Sequence, residues 1–124
     1  MADIASKGAD AFVAAYYKYY DTQRHVLHKL YKDDAAILWN GNAFAGIAQF
    51  RDSYLQLPAT VHEYQSYDAQ PVGNSSILVI VTGSVKLGDK PQPRPFSQTF
   101  ILVPVVDAEG KKVYQVGSDT FRFT

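Results

Sequence analysis

Apolar positions recur at helical spacing from the start of the chain. Ile4, Phe12, Tyr16 and Tyr19, with Ala11 and Ala15 beside them, predict a first helix over about residues 3–21. Thr22 reads as the cap of a short second helix with Leu27, Leu30 and Tyr31 on one side. The run Ala36-Ile37-Leu38-Trp39 predicts a strand. Asn40-Gly41 follows it, a pair suited to a two-residue hairpin turn because both positions need positive φ. Ile47, Phe50, Tyr54 and Leu57 then predict a third helix, with Pro58 marking its end.

The second half changes period. Strands are predicted at about 61–70, 76–86, 96–106 and 112–123. Between them lie the turn chemistry of Gly73-Asn74-Ser75, the segment 88–95 and the segment 107–111. Helices followed by a meander of strands give an α+β domain with an antiparallel sheet. A sheet with one wet face alternates apolar and polar residues. Ile77-Leu78-Val79-Ile80-Val81 and Phe100-Ile101-Leu102-Val103 do not alternate, so both faces ask for cover. Three helices cover one. The other either docks on another protein or is buried by the sheet curling on itself. The first reading is favoured, since an exposed apolar face of that extent is rarely tolerated.

Parity separates the two faces. Phe121 and Phe123 share one side of the last strand, which is the core side by composition. Arg122, Thr120, Ser118 and Val116 take the other phase. In the preceding strand Phe96, Phe100 and Leu102 are core, leaving Ser97, Thr99, Ile101 and Val103 outward. The outward phase of the strand before that is Leu78, Ile80, Thr82 and Ser84. The candidate partner-binding set is therefore Arg122, Thr120, Ser118, Val116, Thr99, Ile101, Ile80 and Leu78, apolar at the centre and modestly polar around it.

Composition narrows the function classes. With 124 residues the chain fits one domain spanning 1–124, and 47% hydrophobic against 19% charged residues excludes intrinsic disorder. Twelve basic and twelve acidic residues cancel, so the footprint of a stand-alone nucleic-acid binder or of a protein drawn to anionic lipid is missing. The absence of cysteine excludes a disulfide scaffold, a thiolate zinc site and a cysteine nucleophile, and fits a reducing, intracellular setting. No stretch has the pattern of an address signal or the length of a membrane span, and a soluble protein is expected.

Seven stretches in order carry a resemblance: Tyr16-Tyr17 with Tyr20-Asp21, Leu30-Tyr31, Leu38-Trp39-Asn40-Gly41-Asn42, Asp68-Ala69-Gln70-Pro71, Val81-Thr82-Gly83-Ser84-Val85, Phe96-Ser97-Gln98-Thr99-Phe100, and Ser118-Asp119-Thr120-Phe121-Arg122-Phe123. Together they resemble the nuclear transport factor 2 family over essentially the whole chain. The resemblance implies a cone: three N-terminal helices packed on a strongly bent antiparallel β-sheet. It also implies one of two transport roles. Nuclear transport factor 2 itself is a homodimer that carries the GDP-bound GTPase Ran through acids after the first strand's aromatic and in a later hairpin. Here Asn40, Gly88 and Lys90 stand at those positions, with only Asp89 acidic nearby. Trp39-Asn40-Gly41-Asn42 is instead similar to the branch of related export proteins, non-catalytic small subunits of the general messenger-RNA export receptor. That branch implies a sheet-to-sheet heterodimer with the large subunit, contact with nucleoporin phenylalanine–glycine repeats mainly through the heterodimer, only indirect or weak contact with RNA, and shuttling between nucleus, pore and cytoplasm. Arg122 would correspond to the arginine that bonds an aspartate of the large subunit.

Other chemistry is thin. His25 and His28 are spaced for two metal ligands, but His62, Asp33 and Asp34 supply no assured third, and a solvent-facing polar pair is the simpler reading. Asp119 with Tyr16 and Tyr20 could imitate the aspartate and tyrosine of cone-shaped isomerases. Tyrosines on a helix more often serve as core, and Trp39 is expected at the mouth of the cone. No phosphate loop, nucleophile elbow or zincin string is present. No enzyme activity and no cofactor are expected.

Overall fold

The computed structural model describes residues 2–73 and 75–124, with side chains from residue 7 onward. Asn74 of the predicted turn and the Ile4 side chain lie outside the described residues. Helix α1 (Ala2–Thr22) is followed by a 3-10 helix (Arg24–Leu30). Strands β1 (Tyr31–Trp39) and β2 (Asn42–Ala45), helix α2 (Ile47–Tyr54) and strands β3 (Thr60–Val72), β4 (Ser76–Leu87), β5 (Arg94–Val106) and β6 (Lys112–Phe123) complete the chain. The sheet has six strands in the order β2-β1-β6-β5-β4-β3 and is not closed. β3, β4, β5 and β6 form the expected antiparallel meander, while β1 lies parallel to β6.

Burial along α1 follows Ala9, Phe12, Val13, Tyr16, Tyr17 and Tyr20, so Tyr20 rather than Tyr19 completes the inward stripe. That stripe packs on the concave face of the sheet, where Phe100 stands edge-on to Phe12 and Tyr16, ring centroids 4.8 Å away in both cases. Ile77, Val79, Val81 and Val85 of β4 and Phe96 and Leu102 of β5 supply the sheet side of the same core. The predicted turn is present: Asn40 has φ 47° and Gly41 φ 87°. Thr22 does not cap the second helix. Its hydroxyl donates back to the Lys18 carbonyl at 2.6 Å, and Gln23 takes the cap position without a side-chain bond. Leu57 falls three residues beyond the end of α2 and is half-buried.

Two irregularities bend the antiparallel meander, and a third register shift lies in β1 between Tyr31 and Ala36. β3 shifts register between Tyr64 and Ser66, opposite Gly83. A Cβ on Gly83 would collide with the Glu63 carbonyl and the Tyr64 Cα, so only glycine permits this approach. The β5–β6 pair shifts between Ile101 and Leu102, which face Ser118 and Val116 and leave Gly117 as the extra residue. This bulge inverts the phase of β6 below Gly117. Val116 is fully buried in the core, which corrects the outward assignment that simple parity gave it. Val113, opposite Val105, takes the outer phase instead.

Candidate functional site: the outer sheet face and the filled cone

The registers assemble the outer face row by row. Asp68, Ile80, Thr99, Thr120 and Leu38 lie side by side across five strands. Gln70, Leu78, Ile101, Ser118 and Ala36 form the next row, and Ser66, Thr82, Ser97 and Arg122 the row on the other side. Seven of the eight sequence-predicted residues share this surface, and Val116 alone does not. Ile80 is 41% exposed and Leu38 39%, high for large apolar side chains amid a sheet. Asp68, Gln70, Leu78 and Ile80 border a shallow recess of about 100 Å³. Arg122 is exposed and has neither an ion pair nor a side-chain hydrogen bond among the described residues. The face is apolar at its centre, with an unpaired guanidinium at one side.

The concave side is filled by its own side chains. Asp119, fully buried, accepts from the Tyr31 hydroxyl at 2.6 Å and from the Gln98 amide at 2.9 Å. With Tyr31's only proton so engaged, Tyr16 donates to the Tyr31 oxygen at 2.6 Å. Tyr17 donates to the Gln98 carbonyl oxygen at 2.8 Å. Of the grouping suspected from sequence, Tyr16 joins Asp119 only through Tyr31 and Gln98, Tyr20 has no hydrogen bond in the network among the described residues, and Tyr31 is the direct partner of Asp119. The remaining cavity measures about 10 Å³ between Tyr16, Trp39, His62, Gln98 and Phe121, room for about one water. Trp39 sits at its mouth, stacked on Phe121 at 5.4 Å.

Burial raises the Asp119 pKa to about 6, against hydrogen bonds from Gln98 and Tyr31 that lower it. Between pH 3.8 and 6 the folded state holds more protons than the unfolded state, so stability from this group falls as pH rises through that window. The ionised acid then costs about 3 kcal/mol above pH 6, at ~1.4 kcal/mol per unit. Asp119→Asn, a neutral isostere, is expected to be more stable than wild type above pH 6 by up to about that amount. The gain should vanish below pH 4. Chemical denaturation of both proteins across pH 3.5–7.5 checks it, and a constant difference would show that Asp119 does not titrate in this range.

Sequence reasoning missed a second polar cluster. Asp21 accepts from the His62 amide at 2.7 Å and lies 2.6 Å from His62 Nδ1, while Thr60 donates to the same carboxylate at 2.8 Å. Arg24 binds the carbonyls of Tyr54, Leu57 and Pro58 and the Thr60 hydroxyl, tying the end of α2 to the start of β3. His25 is exposed. His28 is half-buried, with Nδ1 enclosed and unpartnered among the described residues, so the two are not a matched solvent-facing pair. No group of three metal-ligating side chains gathers among the described residues, and no described helix is long and apolar enough to cross a membrane.

A half-open cone with a packed interior and an outer sheet face carrying exposed Ile80 and Leu38 defines the class. Residues 8–123 match the nuclear transport factor 2 (NTF2) domain, and the chain belongs to that family. It is 34% identical over 125 residues to NTF2-related export protein 1 of Bos taurus, covering 96% of this chain and 88% of the relative. It is 35% identical over 125 residues to nuclear transport factor 2 of Emericella nidulans, covering 98% and 96%. The solved nuclear transport factor 2 of Cryptosporidium parvum superposes with a TM-score of 0.85 at 29% identity, covering 97% of this chain and 94% of that one. These relatives support a role in nuclear transport.

Proposed function

We propose that the chain is the non-catalytic small subunit of a heterodimeric messenger-RNA export receptor. In this reading it covers and stabilises the related domain of a large subunit. The observation that carries the reading is the outer face: Ile80, Leu78 and Ile101 at its centre, flanked by a row of Ser66, Thr82, Ser97 and an exposed Arg122 that has no counter-charge of its own among the described residues. A carboxylate on a second sheet would complete it, since a guanidinium fork grips a carboxylate with two bonds. Engagement of phenylalanine–glycine repeats and shuttling through the pore follow from the heterodimer, with RNA touched indirectly. The filled cone supports a non-enzymatic role, because the cavity of about 10 Å³ leaves no room for a substrate beside the Asp119 network.

An obligate interface of this kind typically buries 2,000 Å² or more in total. The isolated chain is therefore expected to behave poorly, and an equimolar large-subunit domain should raise its melting temperature by several degrees. A clean, stable monomer whose melting is unmoved by that domain would contradict the reading.

A further inference from the structure

The three outer rows hold two charged side chains, and Arg122 is only one of them. The other, Asp68, stands on the edge strand β3 opposite Ile80. It is exposed and has neither an ion pair nor a side-chain hydrogen bond among the described residues. We propose that the large-subunit domain presents a lysine or arginine to Asp68, making a second ion pair of opposite polarity to the one at Arg122. This contact deepens the heterodimer reading and rests on it.

The surface beside Asp68 suits a long basic side chain. The recess of about 100 Å³ lies between Asp68, Ala69, Gln70, Leu78 and Ile80, so its walls are largely aliphatic and its rim carries the carboxylate. A lysine or arginine lays its methylene stem on such a wall and keeps its charged head at the rim. An apolar side chain there would cover the carboxylate without pairing it, which is costly, and an acid would be repelled. Arg122 lies three strands from Ser66, and Asp68 is two residues further along β3. The two charges are therefore roughly 16 Å apart. Opposite charges at that separation fix which way round the partner docks, because a half-turn of its sheet would set like charges against each other.

The test measures binding of the chain to the immobilised large-subunit domain by surface plasmon resonance, with Asp68→Asn, Asp68→Lys and Glu63→Lys beside wild type. Glu63 is exposed on β3 beyond the register shift, opposite Ser84, so Glu63→Lys makes the same change in net charge outside the three rows. Binding is expected to weaken about tenfold in Asp68→Asn and at least about a hundredfold in Asp68→Lys, and to stay within about threefold in Glu63→Lys. Changing the domain's sheet-face lysines and arginines to glutamate one at a time should reveal one reversal that restores Asp68→Lys to within about tenfold of wild type. Lost folding could not be rescued in that way. Wild-type binding with Asp68→Lys within about threefold of it would overturn this contact and leave the heterodimer standing. Equal losses in Glu63→Lys and Asp68→Lys, or no rescue by any reversal, would also overturn the contact alone. Absence of wild-type binding would remove the heterodimer and the contact together. Self-association of the chain broken by Asp68→Lys would assign the carboxylate to Arg122 of a second copy instead.

Discussion

Arg122→Ala is expected to weaken association with the large subunit's related domain by at least about a hundredfold while leaving the fold intact. An exposed ion pair contributes only ~0–1 kcal/mol and is screened by salt. A pair desolvated between two sheets behaves differently, because removing one member strands the other, at about 3–5 kcal/mol. The fold should tolerate the change, since Arg122 is exposed and its neighbours Phe121 and Asp119 point into the core. Arg122→Lys should recover only part of the loss, as a point charge cannot reproduce a two-bond grip. Arg122→Glu should be worst, setting like charges together in a dry interface. Surface plasmon resonance of the three variants orders these outcomes. If Arg122→Ala binds within about threefold of wild type, Arg122 is a rim contact worth no more than an exposed pair.

The second large effect is a loss: GDP-bound Ran is not expected to bind usefully. The resemblance implies carboxylates in such carriers where this chain has Asn40, Gly88 and Lys90, and the structure gives two of these positions other work. The Asn40 side chain accepts the Phe123 amide at 3.3 Å, holding the end of β6. Gly88 adopts φ 61° in the hairpin and bonds the Ala59 carbonyl at 2.7 Å. Each missing buried charge contact removes ~2 kcal/mol or more. Two together weaken binding by roughly a thousandfold. Titration calorimetry returning a micromolar dissociation constant would favour the homodimeric carrier role instead.

Local signals made much of this legible in advance. The 3.6-residue stripe of α1, the Asn40-Gly41 turn and the two-sided apolar strands β4 and β5 each stand within one short window of sequence, and each appears in the fold. The outer face followed from strand parity as far as parity holds. It failed at Val116 because nothing in Val116-Gly117-Ser118 distinguishes a regular strand from one with an extra residue; the close approach of Gly117 to Val103 becomes visible only once β5 is alongside. The parallel β1–β6 pairing was illegible for the same reason, since it sets Ala36 beside Ser118, far apart in the sequence. Asp21 and His62 are 41 residues apart, and the pairing of Tyr31 with Asp119 spans 88, so no spacing rule connects them. Arg24 was missed because its partners are carbonyl groups, which have no side-chain signature.

The central claim is that the outer sheet face is completed by a different but related domain rather than by a second copy of this chain. Sedimentation equilibrium tests it most directly, run on the chain alone, on the large-subunit domain alone and on their equimolar mixture. The account predicts a single species of one chain and one domain in the mixture, and no stable, stoichiometric dimer of the chain alone. A well-defined homodimer of this chain that persists unchanged when the domain is added would contradict it.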